Sequence, residues 1–188
     1  MGKLTDERKL QNLELFKKKL NETNSNCDKL VELFGDNLKE ATYSLSNKES
    51  LLCGDGELLN TVLRVLTPTA LKLNELLPEG KKIENQVLIK TCLLSQISKA
   101  IMVSQNSNTW EVENRGLLYK FNTSTTALKM GMKSISMCFE SGIQLSEMEV
   151  EAISNLDRDE DKQTRYYSSP LSVILRQAVE LTDLLGRK

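Results

Sequence analysis

An all-α, single-domain bundle of five to six mostly antiparallel helices, spanning residues 1–188, is the fold this sequence predicts. Three observations predict it. The chain has three prolines, nine glycines, one tryptophan, four tyrosines and four phenylalanines against abundant Leu, Lys, Glu, Asn and Ser, a mixture that favours helices and is poor in strand formers. Large apolar side chains recur three and four residues apart through successive segments, and short turn-forming stretches separate those segments. No stretch of any length reads as a strand. A chain of 188 residues can bury about two thirds of its unfolded surface in one core, so the bundle needs no staples.

The first segment covers residues 1–50 and predicts one long helix or a helix pair. Thr5 suits an N-cap, with Asp6 and Glu7 in the first turn where the helix dipole favours negative charge. Leu13, Leu20, Cys27, Phe34 and Ala41 form one seven-residue column, and Phe16 and Leu30 stand in the interleaved one. The column offers a core-packing stripe or a homodimer seam. "NETNSN" and Gly35 are weak helix formers, so a break is expected near residue 25 or 35.

After "CGDG", the residues Leu59, Val62, Leu63, Leu66, Ala70, Leu73 and Leu77 hold helical phase across Pro68. That predicts a helix kinked at Thr67-Pro68, or a fresh start capped by Thr67. Thr67-Pro68 also has the form of a proline-directed phosphorylation site. A third helix is expected over about 82–105, where Ile83, Val87, Leu94, Ile97 and Ile101, widened by Leu88, Cys92, Leu93 and Ala100, give the broad apolar arc of a central element. A fourth is expected from Asn108 or Thr109 to a Gly142 cap, carrying Leu117, Phe121, Leu128, Met132, Ile135 and Phe139, with Trp110 as a lid on the core. Ser146 and Glu149 form a capping box for a short fifth helix holding Val150, Ile153 and Leu156. Ser169-Pro170 opens the last one, with Leu171, Ile174, Leu175, Ala178, Leu181 and Leu185 on one face.

Residues 157–169 read as an acidic interhelical loop, and its first half resembles a calcium loop because Asp157, Asp159 and Asp161 alternate. The resemblance fails where it matters. Counted from Asp157, the sixth position is Lys162 rather than Gly and the twelfth is Ser168 rather than the bidentate Glu that completes a calcium shell. No metal is therefore expected. The chain has no histidine, which removes the commonest general base and zinc ligand. It also lacks a glycine-rich phosphate cradle, so no catalytic residue and no cofactor are expected.

With 25 basic and 26 acidic residues there is no overall field for nucleic acid, and Lys17-Lys18-Lys19 and Lys81-Lys82 sit among carboxylates without stacking aromatics. Nucleic acid is disfavoured as a partner. No run approaches the roughly 18 apolar residues a membrane span needs, and the four cysteines make no C-x-x-C pair. The expected setting is the cytoplasm, the nucleus or both, with thiols reduced.

"LPEGKKIENQVLIKTCLLSQISKAI" followed by "NTWEVENRGLLYKFNTSTTALKMGMKSISMCFES" resembles, in the order of its features, the helical cyclin-D-binding protein family. The features are Leu77-Pro78 and Gly80, the Trp110-Glu111 pair, Asn122 with Ala127 beyond it, and the acidic run Asp157 to Asp161. The resemblance implies a helical protein-interaction factor of nucleus or cytoplasm, with no catalytic residues to carry over.

The residues thus lead to a non-enzymatic helical interaction factor: an adaptor, a regulator or a subunit of an assembly. Asp157, Asp159, Asp161, Tyr166 and Tyr167 are its candidate partner-binding residues, and the N-terminal seam is a candidate homodimer contact. The alternative is a bundle that binds a small apolar ligand or lipid, using the third helix and the methionines Met130, Met132 and Met137. It predicts an apolar cavity of a few hundred Å³.

Overall fold

A computed structural model describes residues 4–122, 128–157 and 168–188. They form α1 (Asp6–Asn21), α2 (Asp28–Glu40), α3 (Glu57–Thr61), α4 (Thr67–Glu75), α5 (Asn85–Ser95), α6 (Lys99–Met102), α7 (Met130–Glu140), α8 (Glu147–Ser154) and α9 (Pro170–Gly186), with strands β1 (Val103–Gln105) and β2 (Tyr119–Phe121). The fold is broadly all-α, with more and shorter helices than the five to six expected, and with a small two-stranded sheet.

The N-terminal segment is a helix pair. Thr5 caps α1 by accepting from the Arg8 N–H at 3.2 Å. The break falls at 22–27, where Asn24 takes a left-handed φ of 58° and the Asn21 side chain accepts from the Cys27 backbone N–H and thiol. Leu13, Phe16, Leu20, Cys27 and Leu30 are buried in the chain's own core, and Phe34 and Ala41 are partly buried against it.

The helical run across Pro68 holds its phase by a different device from a kink. Between α3 and α4 the chain forms a π-helical turn, Val62–Leu66, in which the Thr67 N–H reaches back five residues to the Val62 carbonyl. The Thr67 hydroxyl donates to the same oxygen at 2.8 Å. Thr67 is therefore a buried structural residue, with no hydroxyl presented for phosphorylation.

α5 is the central helix its arc predicts. It touches α1, α4, α7, α8 and α9, and buries Leu88, Cys92, Leu93 and Leu94. It stops well short of residue 105. Ser134 of α7 inserts its hydroxyl at the end, donating to the Ser95 carbonyl at 3.1 Å and accepting from the Ser98 N–H at 3.2 Å, so a side chain replaces the bonds a continued helix would make. After the single turn of α6 the backbone extends into β1, which pairs antiparallel with β2: Val103 faces Phe121, and Gln105 faces Tyr119.

The expected long fourth helix is corrected by the same sheet. Only a π turn at Glu111–Arg115 and α7 are helical in that stretch; Gly116 ends the turn at φ 65°, and the aromatic residues Tyr119 and Phe121 enter the ladder. Trp110 is 62% exposed, an outward side chain rather than a lid.

The buried face of α7 also differs from the expected stripe. Gly131, Ser134, Ile135 and Cys138 face inward, whereas Leu128, Met132 and Phe139 are exposed. Small residues let α7 approach closely: a Cβ on Gly131 would collide with the Ile153 carbonyl oxygen and lie 2.8 Å from Asp157 Oδ2. Gly142, at φ 76°, ends the helix as expected.

The last two helices start as the sequence predicts. Ser146 and Glu149 close the capping box of α8, and Ser169 caps α9 ahead of Pro170. α9 buries Leu171, Ile174, Leu175 and Ala178 against α4 and α8, but its end emerges from the core, leaving Leu181, Leu184 and Leu185 exposed. Backbone bonds from Leu51 to the Gly186 carbonyl and from Lys188 to the Glu49 carbonyl tie that end to the 49–52 turn.

Candidate functional site

Of the five partner-binding residues named from the sequence, Asp157 is the one described. It belongs to a 3-10 turn after α8 and points back at the α7 N-terminus, where Oδ2 accepts from the Met132 N–H at 3.2 Å and the Asp157 carbonyl accepts from Lys129 Nζ at 2.8 Å. Its carboxylate satisfies donors that a helix start leaves open. Burial raises its pKa, against the opposing pull of those N–H groups. Asp159, Asp161, Tyr166 and Tyr167 lie outside the described residues.

An exposed apolar surface lies at the corner where α7 meets α8. Phe139 is 59% exposed on the last turn of α7, Met148 is 45% exposed on the first turn of α8, and Met132 and Leu128 extend the strip along α7. Between the helices, Phe139, Gly142, Ile143, Gln144 and Leu145 line a shallow groove of about 410 Å³. Ile143 is buried in its floor, fixed by its N–H bond to the Cys138 carbonyl at 2.8 Å. Glu140 and Glu147 are exposed at the rim.

The corner rests on a buried ion pair. Lys90 of α5 holds Glu149 at 3.0 Å and donates to the Gln144 carbonyl at 2.7 Å, with both side chains largely out of water. Removing one partner would strand a charge, so the pair fixes where α8 begins.

Two clefts carry polar chemistry. The larger, about 480 Å³, lies between the 47–57 segment and the sheet, where Cys53, Asp55, Glu57, Asn106 and Tyr119 converge. Tyr119 donates its hydroxyl proton to Asp55 at 2.6 Å. Burial pushes the Cys53 thiol up to about 11, so it stays protonated and is a poor nucleophile. This cleft can bind through hydrogen bonds.

The second cleft, about 320 Å³, opens between α6, the start of α7, the turn after α8, and α9. Lys99 is its central group. Its ammonium nitrogen sits 3.7 Å above the centre of the Tyr43 ring and donates to the Tyr43 carbonyl at 2.8 Å. Burial lowers its pKa to about 8, with Asp183 opposing. The Asp183 carboxyl is itself raised by burial, and the Tyr43 phenol is raised by burial and by Asp183. Sequence reasoning missed this cluster. The one signal for it was a lysine set among Ile97, Ala100 and Ile101 in an otherwise apolar run.

Among the described residues no group of acidic or cysteine side chains has the arrangement of a metal site, and no helix is long and apolar enough to cross a membrane. Comparison of the chain with family models, with curated proteins and with solved structures finds no match in any of the three.

Proposed function

We propose that this chain is a non-enzymatic protein-interaction factor, an adaptor, regulator or subunit of an assembly, and that its partner docks at the α7–α8 corner. The observation that carries the reading is Phe139: a large aromatic ring, mostly exposed, lining an apolar groove beside the buried Ile143. Aromatic side chains in such positions supply much of the energy of protein interfaces, and methionines such as Met132 and Met148 adapt to a partner's shape. With Glu140 and Glu147 on the rim, the fitting partner is an amphipathic segment with apolar anchors and basic flanks. The likeness to the helical cyclin-D-binding family supports the same class of work. We assign the chain to the cytoplasm, the nucleus or both, an assignment supported by its four free cysteines.

Affinity purification of the tagged chain from its native cell tests the docking surface. Phe139→Glu should remove the specifically recovered protein while leaving the circular dichroism spectrum unchanged. If that variant keeps its partners and replacement of Tyr166 and Tyr167 by alanine loses them, the interface belongs to the acidic segment; if neither matters, the docking proposal fails. The alternative of a small apolar ligand or lipid has less support, because both polar clefts are edged by charged groups and the wide arc of α5 is filled by the chain's own side chains. Mass spectrometry of a solvent extract of the purified protein separates the two, since the docking reading expects an empty extract.

A further inference from the structure

The cleft beside the sheet holds two carboxylates that the chain leaves half used. Asp55 and Glu57 both line its space of about 480 Å³, a size within the roughly 300–1,000 Å³ of small-molecule sites. Among the described residues, Asp55 is bonded through Oδ1 alone, by the Tyr119 hydroxyl, and Glu57 through Oε2 alone, by the Asn60 amide at 3.0 Å, and neither belongs to an ion pair. Glu57 is 7% exposed, and the little surface it keeps includes Oε1, which opens on the cleft. Asp55, half-buried, keeps Oδ2 open in the same way. Burial does most to raise the Cys53 thiol, and the charges of Asp55 and Glu57 add to it with Lys188 opposing, which places both carboxylates near a sulfur that itself lines the space. Lys188, the lysine of the lining, gives its ammonium to the Asn47 carbonyl. A carboxylate largely out of water with no cation beside it is costly, and a ligand cation would offset that cost.

We propose that this cleft binds a small primary amine carried on an apolar body, its ammonium donating to Asp55 Oδ2 and Glu57 Oε1. An ammonium suits the pair because its three N–H donors diverge toward separate acceptors. A guanidinium does not: its fork matches the two oxygens of one carboxylate, and here each carboxylate has one oxygen already taken. A quaternary ammonium has no N–H to give. Leu51, Val112 and Leu118, on the same walls, cover the apolar body. They also distinguish the site from one for a bare metal ion, for which the described residues have no ligand set. The inference goes beyond the docking reading and does not depend on it, since no residue lines both this cleft and the α7–α8 groove.

Isothermal titration calorimetry of the full-length chain with phenethylamine at neutral pH tests it. The amine should bind at one saturable site, and 2-phenylethanol, the same body without the charge, should bind on the order of tenfold more weakly. Phenethyltrimethylammonium and phenethylguanidine, which keep the charge but not an ammonium's diverging donors, should also bind more weakly than the amine. Glu57→Gln and Asp55→Asn each keep an acceptor for the present partner; each should weaken the amine about tenfold, with unchanged circular dichroism and unchanged affinity for 2-phenylethanol. No saturable binding of the amine, or binding no tighter than that of 2-phenylethanol, overturns the proposal, and that comparison needs no variant. Equal affinity for the trimethylated ion overturns the assigned N–H contacts. Tighter binding of Nα-acetyl-lysine amide, which presents the ammonium as a protein side chain would, overturns the choice of a free small amine.

Discussion

α5 and α7 are both eleven-residue helices and pack against one another, yet they divide their apolar residues between core and surface differently. α5 puts Leu88, Leu93 and Leu94 into the core. α7 also buries Ile135, Met137 and Cys138, but beside them it puts Gly131 and Ser134 inward and turns Met132 and Phe139 outward. The difference teaches that spacing finds a helix but does not choose its buried face. The choice depends on how near the neighbouring backbone comes. Where α7 meets the end of α8, Gly131 lies against the Ile153 carbonyl, and no larger side chain fits. Where α5 meets α1, α4, α8 and α9 as well as α7, leucines fill the space between the helices.

The comparison can be broken most directly by emptying the α5 core. Leu94→Ala should cost about 2–5 kcal/mol, from lost burial and the cavity left behind, and chemical denaturation should show it as a lower midpoint at unchanged slope. Next in size is Gly131→Ala. Its methyl group meets backbone rather than a flexible side chain, so α7 must lift away, at a cost of about 1–3 kcal/mol measured the same way. If Gly131→Ala were neutral, close approach would not be what selects the face of α7.

A smaller effect is expected from the amine that follows α5. Lys99 has a folded pKa near 8, below its unfolded value, so the unfolded chain binds more protons between those two values and stability should rise with pH above 8. The buried thiols of Cys92 and Cys138, both raised to about 12, act in the opposite sense once unfolded thiols ionise near 9. Denaturation at pH 7.5 and 9 in parallel with Lys99→Met isolates the lysine, and the variant should lose the rise. Least of all should come from Phe139→Ala, expected to change stability by no more than about 0.5 kcal/mol despite removing an aromatic ring. A loss comparable to Leu94→Ala would show that Phe139 belongs to the core and not to a docking face.

Caps and turns were legible in the sequence because they depend on a few neighbouring residues. Thr5, the Ser146–Glu149 box, Ser169-Pro170 and Gly142 all do what their chemistry dictates. The central role of α5 was legible too, because a broad apolar arc leaves no other place for a helix. The end of α5 was not. It depends on Ser134, 39 residues away from the Ser95 carbonyl it binds, and no local pattern announces that contact. The sheet was missed for a related reason: each strand is three residues long, too short for alternation to register, and its pairing is between distant segments. Of the candidate site, the acidic character near Asp157 was visible, but not that this carboxylate serves the start of α7. The Lys99 cluster gathers Tyr43, Lys99 and Asp183 from three separate parts of the chain, which only folding brings together.

The π turn at Val62–Leu66 makes the length of this rod adjustable by one unit. A π turn holds one residue more than the α turn it replaces, so shortening that stretch by one residue, with Pro68 replaced by alanine, restores an uninterrupted α-helix. Leu59 and Ala70 would still point into the interior from either side of the splice. The chain thus carries one spare link at that turn, held where Thr67 closes the gap.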